Sequence, residues 1–170
     1  GRFVVAWCDG PHYDARAQIF DADGGRIGGE FTLGKGDETG RVLPQLAALP
    51  DGGFVATWAD YYAAGAGEIV LFTQVFGADG EARGDEFKVT REPDPGAYSH
   101  STTVLADGRF VVAWSGSNPI GGDKSFDSIH ARIFDPRDEA IFLAGNGGAD
   151  DFVGTRFADV LSGEGGRDRL

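Results

Sequence analysis

One heptapeptide constrains this chain more than any other feature. GRFVVAW at 1–7 returns as GGFVATW at 52–58 and as GRFVVAW at 108–114, so Trp7, Trp58 and Trp114, the only three tryptophans, occupy one repeated position. A second module follows each first one: ARAQIFDADGGRIGGEFTL at 15–33, LFTQVFGADGEARGDEFKV at 71–89 and HARIFDPRDEAIFL at 130–143. A third piece, LPQLAALPDG at 43–52 and STTVLADG at 101–108, precedes the Trp segment and ends on Asp-Gly, a strong hairpin signal. The chain is therefore expected to fold as copies of one unit repeating every 51 to 58 residues.

Alternation tells what each copy is. Phe3, Val5 and Trp7 share a face with the period of two that strands require, as do Phe54, Ala56, Trp58 and Phe110, Val112, Trp114. In the second unit the pattern predicts strands at 44–49, 53–58, 69–76 and 85–90, with turns at Asp51-Gly52 and Ala78-Asp79-Gly80. The segments are rich in Val, Phe and Thr, so no helix longer than two turns is expected between 44 and 90. The expected class is all-β, with antiparallel, four-stranded, propeller-blade-like repeats over 1–139. Two to three units are too few to close a ring, since propellers use about four to eight blades. Either further blades lie upstream, or the units stack as an open array or a sandwich. Trp58 is expected to lie buried beneath the following unit.

Charge and cysteine content remove several functions. With 15 Lys and Arg against 27 Asp and Glu, the net charge of −12 argues against a nucleic-acid partner and favours cations. Cys8 stands alone, which excludes an internal disulfide and a cysteine zinc cluster. No apolar run is long enough to span a bilayer as a helix. The chain opens in mid-strand with no leader and contains no Met, and it reads as a fragment of a longer protein.

Candidates for chemistry upstream of residue 140 are few. His12, His100 and His130 share no metal-ligand spacing, and no nucleophile elbow or HExxH occurs. Cys8 aligns with Ala59 and Ser115, a slot for a small residue. The Trp stripe has the chemistry of a sugar-stacking platform, but one Trp per unit at a fixed place favours core. Asp21-Ala22-Asp23-Gly24 could hold an ion, yet Asp and Gly are also what hairpin turns demand. Asp85-Glu86 is read as a solvated pair at a strand start. No catalytic constellation is visible.

The remaining 26 residues, GNGGADDFVGTRFADVLSGEGGRDRL at 145–170, carry the most specific signal. Gly145, Gly154 and Gly163 share one register, Asp150, Asp159 and Asp168 a second, and Phe152, Leu161 and Leu170 a third, giving three nonapeptides. Glycine permits left-handed turns in which carbonyls converge, Asp supplies a hard anionic oxygen, and the apolar place can point into a thin core. Asn146, Thr155 and Glu164 stand at the second place, and Phe157 stands where the other two units have Gly148 and Gly166.

These units closely resemble the GGxGxDxUx nonapeptides of RTX, haemolysin-type, calcium-binding exoproteins, U being apolar. The LADGRFVVAW and QIFDADG repeats resemble the roughly 50-residue β units that precede such nonapeptides in large secreted bacterial proteins. The resemblance implies a short parallel β-roll over 140–170 in which turns two units apart share a calcium ion. Asp150 and Asp168 would then face one site, with carbonyls from 145–148 and 163–166, hence Gly145, Gly147, Gly148, Gly163, Gly165 and Gly166. Asp159 would need a later repeat. It also implies type I secretion, an extracellular or cell-surface location and calcium-driven folding. The functional expectation is a structural or adhesive module without catalysis, with glycans or cell-surface components as further partners. Two alternatives are the non-catalytic part of a larger secreted hydrolase or lyase, and a carbohydrate-binding propeller.

Overall fold

The computed structural model describes residues 1–9, 14–34, 40–61, 69–91, 94, 96–97, 99–117, 128–137, 142–144 and 160–162. The chain divides into two compact units, Gly1–Phe134 and Asp135–Leu170. The first is all-β. It holds β1 (Arg2–Asp9), β2 (Asp14–Asp21), β3 (Arg26–Thr32), β4 (Arg41–Ala48), β5 (Phe54–Asp60), β6 (Val70–Phe76), β7 (Ala82–Lys88), β8 (His100–Val104), β9 (Phe110–Gly116) and β10 (Ser128–Phe134). They form three antiparallel meanders, β1-β2-β3, β4-β5-β6-β7 and β8-β9-β10, one per sequence repeat. No helix occurs among the described residues, and residues 44 to 90 contribute to one four-stranded sheet.

The hairpins repeat more closely than the strands. Gly24, Gly52, Gly80 and Gly108 recur at intervals of 28 residues with φ between 85° and 87°. In the second of these turns the Gly52 N–H donates to Leu49 O at 3.1 Å and the Leu49 N–H donates to Gly53 O at 2.9 Å. The same pair of bonds joins Asp21, Gly24 and Gly25, then Gly77, Gly80 and Glu81, then Leu105, Gly108 and Arg109. This is a type I turn closed by a glycine bulge, which needs the left-handed residue that Gly supplies at no steric cost. Aspartate fixes most of the turns: Oδ1 of Asp51, Asp79 and Asp107 accepts the N–H two residues on, from Gly53, Glu81 and Arg109. At the first turn Asp21 takes that role, accepting from Asp23 and Gly25.

The strand registers are equally conserved within the chain. Phe3 pairs with Phe20, Phe54 with Phe76 and Phe110 with Phe134, and each pair stacks at 5.2, 4.9 and 5.2 Å between ring centroids. β2–β3 and β6–β7 each carry one bulge, beside Gln18 and Gln74. The two glutamine amides fill the same gap, Gln18 donating to Ile27 O at 3.0 Å and Gln74 to Gly84 O at 3.1 Å.

Because side chains alternate, the second sheet has one face toward the first sheet and one toward the third. Trp58, Phe54, Ala56 and Phe76 pack with Ala15, Ala17 and Leu33 of the first sheet. Trp114, Phe110 and Val112 pack with Val55, Ala59, Leu71 and Val75 of the second. Trp58 is thus fully buried, but beneath the preceding unit, which corrects the direction expected from sequence. Alternation defines two faces without saying which neighbour each meets. Two strand positions also move: β4 begins at Arg41 and β7 at Ala82, each three residues before the expected start. In both cases a bulge in the pairing takes up extra residues.

The second unit contains β11 (Phe142–Ala144) and β12 (Val160–Ser162). They pair in parallel, Phe142 with Val160, Leu143 with Leu161 and Ala144 with Ser162, each pair eighteen residues apart in sequence. Near its start the Asp135 carboxylate accepts the Arg137 N–H at 3.1 Å and is paired with that arginine's guanidinium. Asp135 lies 28 residues after Asp107 and repeats the aspartate turn without its glycine.

Candidate functional site

The segment between β11 and β12 holds the first nonapeptide and most of the second. The sequence-predicted ligands Gly145, Gly147, Gly148, Asp150, Asp159, Gly163, Gly165, Gly166 and Asp168 all lie outside the described residues. The frame around them is described. Counting one unit back from Gly145, β11 occupies places seven to nine of a nonapeptide, and β12 occupies the same places of the unit that starts at Gly154. Leu143 is therefore an earlier member of the apolar register that contains Leu161, and the two are partners in the parallel register. An offset of eighteen is two nonapeptides. The signal for Leu143 was available in the nine-residue spacing, but the unit at 136–144 has no glycine at its head and does not look like a repeat.

Donor chemistry in the sequence from 145 to 170 suits a hard cation. Two aspartates eighteen residues apart, with glycines whose carbonyls can converge, offer the all-oxygen set that calcium takes. The described register pairs 142–144 with 160–162, and that offset of eighteen equals the separation of Asp150 and Asp168 in sequence. Among the described residues themselves, no group of three or more His, Cys, Asp or Glu is placed to hold a metal.

The acids of the hairpins serve local structure instead. Asp21, Asp51, Asp79 and Asp107 spend an oxygen on backbone N–H groups of their own turns. Glu86, read from sequence as solvated at a strand start, is in the middle of β7 and forms an ion pair with buried Arg41 at 3.6 Å, while its neighbour Asp85 is exposed. Arg41 lies over the Trp58 ring, 6.0 Å from its centroid, so the pair closes one edge of the core. Cys8 is exposed, and its Sγ accepts the Leu43 N–H at 3.3 Å. Trp58 and Trp114 are core and offer no ring face to a sugar.

One side-chain group was not anticipated. Ser128 Oγ lies 2.6 Å from His130 Nε2, and His130 is buried against Trp114, with 5.4 Å between ring centroids. Asp94 Oδ2 and His130 Nε2 each lie 2.5 Å from the point a Gly116 Cβ would occupy, so the two atoms are at most twice that distance apart. A hydrolytic triad needs the carboxylate on the ring nitrogen opposite the serine. Here the serine hydroxyl lies on His130 Nε2, and Asp94 Oδ1 accepts the N–H groups of Gly96 at 2.9 Å and Ser117 at 2.8 Å. The group ties Asp94 and Gly96 to the end of β9. Ser128 and His130, two apart on one strand, were visible in sequence, whereas Asp94 comes from a different loop.

Compared with protein-family models, with curated proteins and with solved structures, the chain matches none of them. Among the described residues no helix is long and apolar enough to cross a membrane.

Proposed function

We propose that the chain is a calcium-dependent, non-catalytic module of a secreted bacterial protein, an array of blade-like sheets leading into a short parallel β-roll. The observation that carries this reading is the parallel pairing of β11 with β12 at an offset of two nonapeptides. A chain that winds once every eighteen residues stacks places seven to nine of alternate units, as seen, and sets the turns of alternate units on one edge. The carboxylates of Asp150 and Asp168 would then approach one ion together with carbonyls of 145–148 and 163–166. Asp159 belongs to the opposite edge. Without a cation those carboxylates repel one another, so binding and ordering are coupled. A bound calcium supplies the positive charge that lets the two turns approach. Extracellular calcium is high enough to load sites of ~0.1–1 mM affinity, which fits a protein that folds after export.

The test is calorimetric titration of the chain with calcium, beside an Asp150→Ala, Asp168→Ala double variant. Weak but measurable binding is expected in the parent and its loss in the double variant, with a smaller effect from Asp159→Ala. Equal heats in parent and double variant, or none in either, would refute the assignment.

A further inference from the structure

The strand registers line up the same two residue pairs in all three sheets. Trp7, Trp58 and Trp114 pair with Arg16, Phe72 and His130, and two residues further on Asp9 pairs with Asp14, Asp60 with Val70 and Gly116 with Ser128. In the first sheet these places make the Arg16–Asp9 ion pair at 3.3 Å. In the second, Asp60 and Val70 are buried and Phe72 partly so. Of the three sheets, only the third has exchanged the strand's aspartate for glycine and set an imidazole opposite its tryptophan.

Asp94 brings a carboxylate back from outside the sheet. It is 2% exposed and His130 7%. Its Oδ1 is held by the N–H groups of Gly96 and Ser117, whereas Oδ2 accepts no hydrogen bond among the described residues. Oδ2 and His130 Nε2 each lie 2.5 Å from the place of a Gly116 Cβ, so an aspartate at 116, as in the other two sheets, would collide with both. Glycine leaves the two atoms bordering one space. Ser128 Oγ borders it as well, 2.6 Å from Nε2, and its proton has a second acceptor in Gly116 O at 3.3 Å. Its lone pairs are then free to serve as ligands.

We propose that Asp94 Oδ2, His130 Nε2 and Ser128 Oγ bind a divalent transition-metal ion of the zinc class. A buried carboxylate oxygen without a donor is costly until its charge is compensated, and a cation shared with the neighbouring imidazole compensates it. A nitrogen donor beside oxygens selects zinc over calcium, which takes oxygen ligands alone. Three protein donors and one water complete a tetrahedral set. The ion cross-links the segment before β8 to β10, and the site shares no residue with the nonapeptides.

Calorimetric titration of the full 170-residue chain with zinc at neutral pH, in excess calcium, provides the test. Two variants accompany the parent. His130→Phe carries the side chain that the second sheet already accommodates at Phe72. Asp94→Asn keeps the acceptor for Gly96 and Ser117 but removes the charge. The parent is expected to bind one zinc ion that calcium does not displace, and each variant to bind it about tenfold more weakly or less well still. Zinc should also raise the thermal midpoint of the parent and leave that of His130→Phe unchanged. No zinc heat in the parent, equal binding by parent and His130→Phe, or displacement by calcium would each overturn the proposal. Binding lost in His130→Phe but kept in Asp94→Asn would overturn it too, since the imidazole would then act without the carboxylate.

Discussion

Gly34 shows how little room a single position can have. It follows β3 with φ of +83°, and a Cβ there would lie 2.5 Å from Glu86 Oε2, 2.7 Å from Trp58 Cζ2 and 2.8 Å from Arg41 Nη1. The carboxylate can swing away, but the fully buried indole cannot. Gly34→Ala is predicted to cost about 3 kcal/mol, combining left-handed strain with overpacking. Gly28, at φ +68° with nothing within 4 Å of its absent Cβ, isolates the first component. Gly28→Ala should cost only about 1 kcal/mol. Urea midpoints of the two variants at unchanged slope give the comparison, and equal losses would mean that the Trp58 contact exerts no constraint. The sequence offers no hint of this asymmetry. Both glycines sit in or after one module, and only the tertiary approach of β5 and β7 separates them.

Among the elements, the turns were the most legible and the partners of strands the least. Asp-Gly marked Asp23-Gly24, Asp51-Gly52, Asp79-Gly80 and Asp107-Gly108 because their chemistry is local: one left-handed residue and one side chain that accepts a nearby N–H. The Arg41–Glu86 pair was illegible because it joins β4 to β7 across the whole sheet. Asp51 combines both kinds of contact. Hydrogen bonding from Arg83 on β7 holds its carboxyl below the ordinary range, the Gly53 N–H adds to this, and partial burial opposes it. A depressed folded value means that Asp51 contributes stability above the unfolded carboxyl pKa and loses it as pH falls through the folded one. The residue is half-exposed, so the contribution is modest. Asn at this place keeps an acceptor for Gly53 but not the charge for Arg83. The parent should therefore exceed Asp51→Asn in denaturant midpoint at neutral pH, and the gap should close below about pH 4. A gap unchanged across that range would show that Arg83 contributes nothing.

At the scale of the whole molecule, two periods govern the chain. A period of 28 residues spaces the hairpins of the first unit, and a period of nine sets the second. The first was read from sequence only at twice its length, because strands of alternate hairpins differ in side chains while their turns agree. The second stands in the sequence itself, where Gly, Asp and an apolar residue each return every nine positions. Leu143 escaped notice because its unit begins with proline. On the proposed function, calcium completes an eighteen-residue coil framed by β11 and β12. Amide hydrogen exchange of residues 142–144 and 160–162, with calcium and with chelator, measures this most directly. Both strands should be protected together in calcium and lose that protection in chelator. Protection that is the same in both conditions, or confined to one strand, would contradict it.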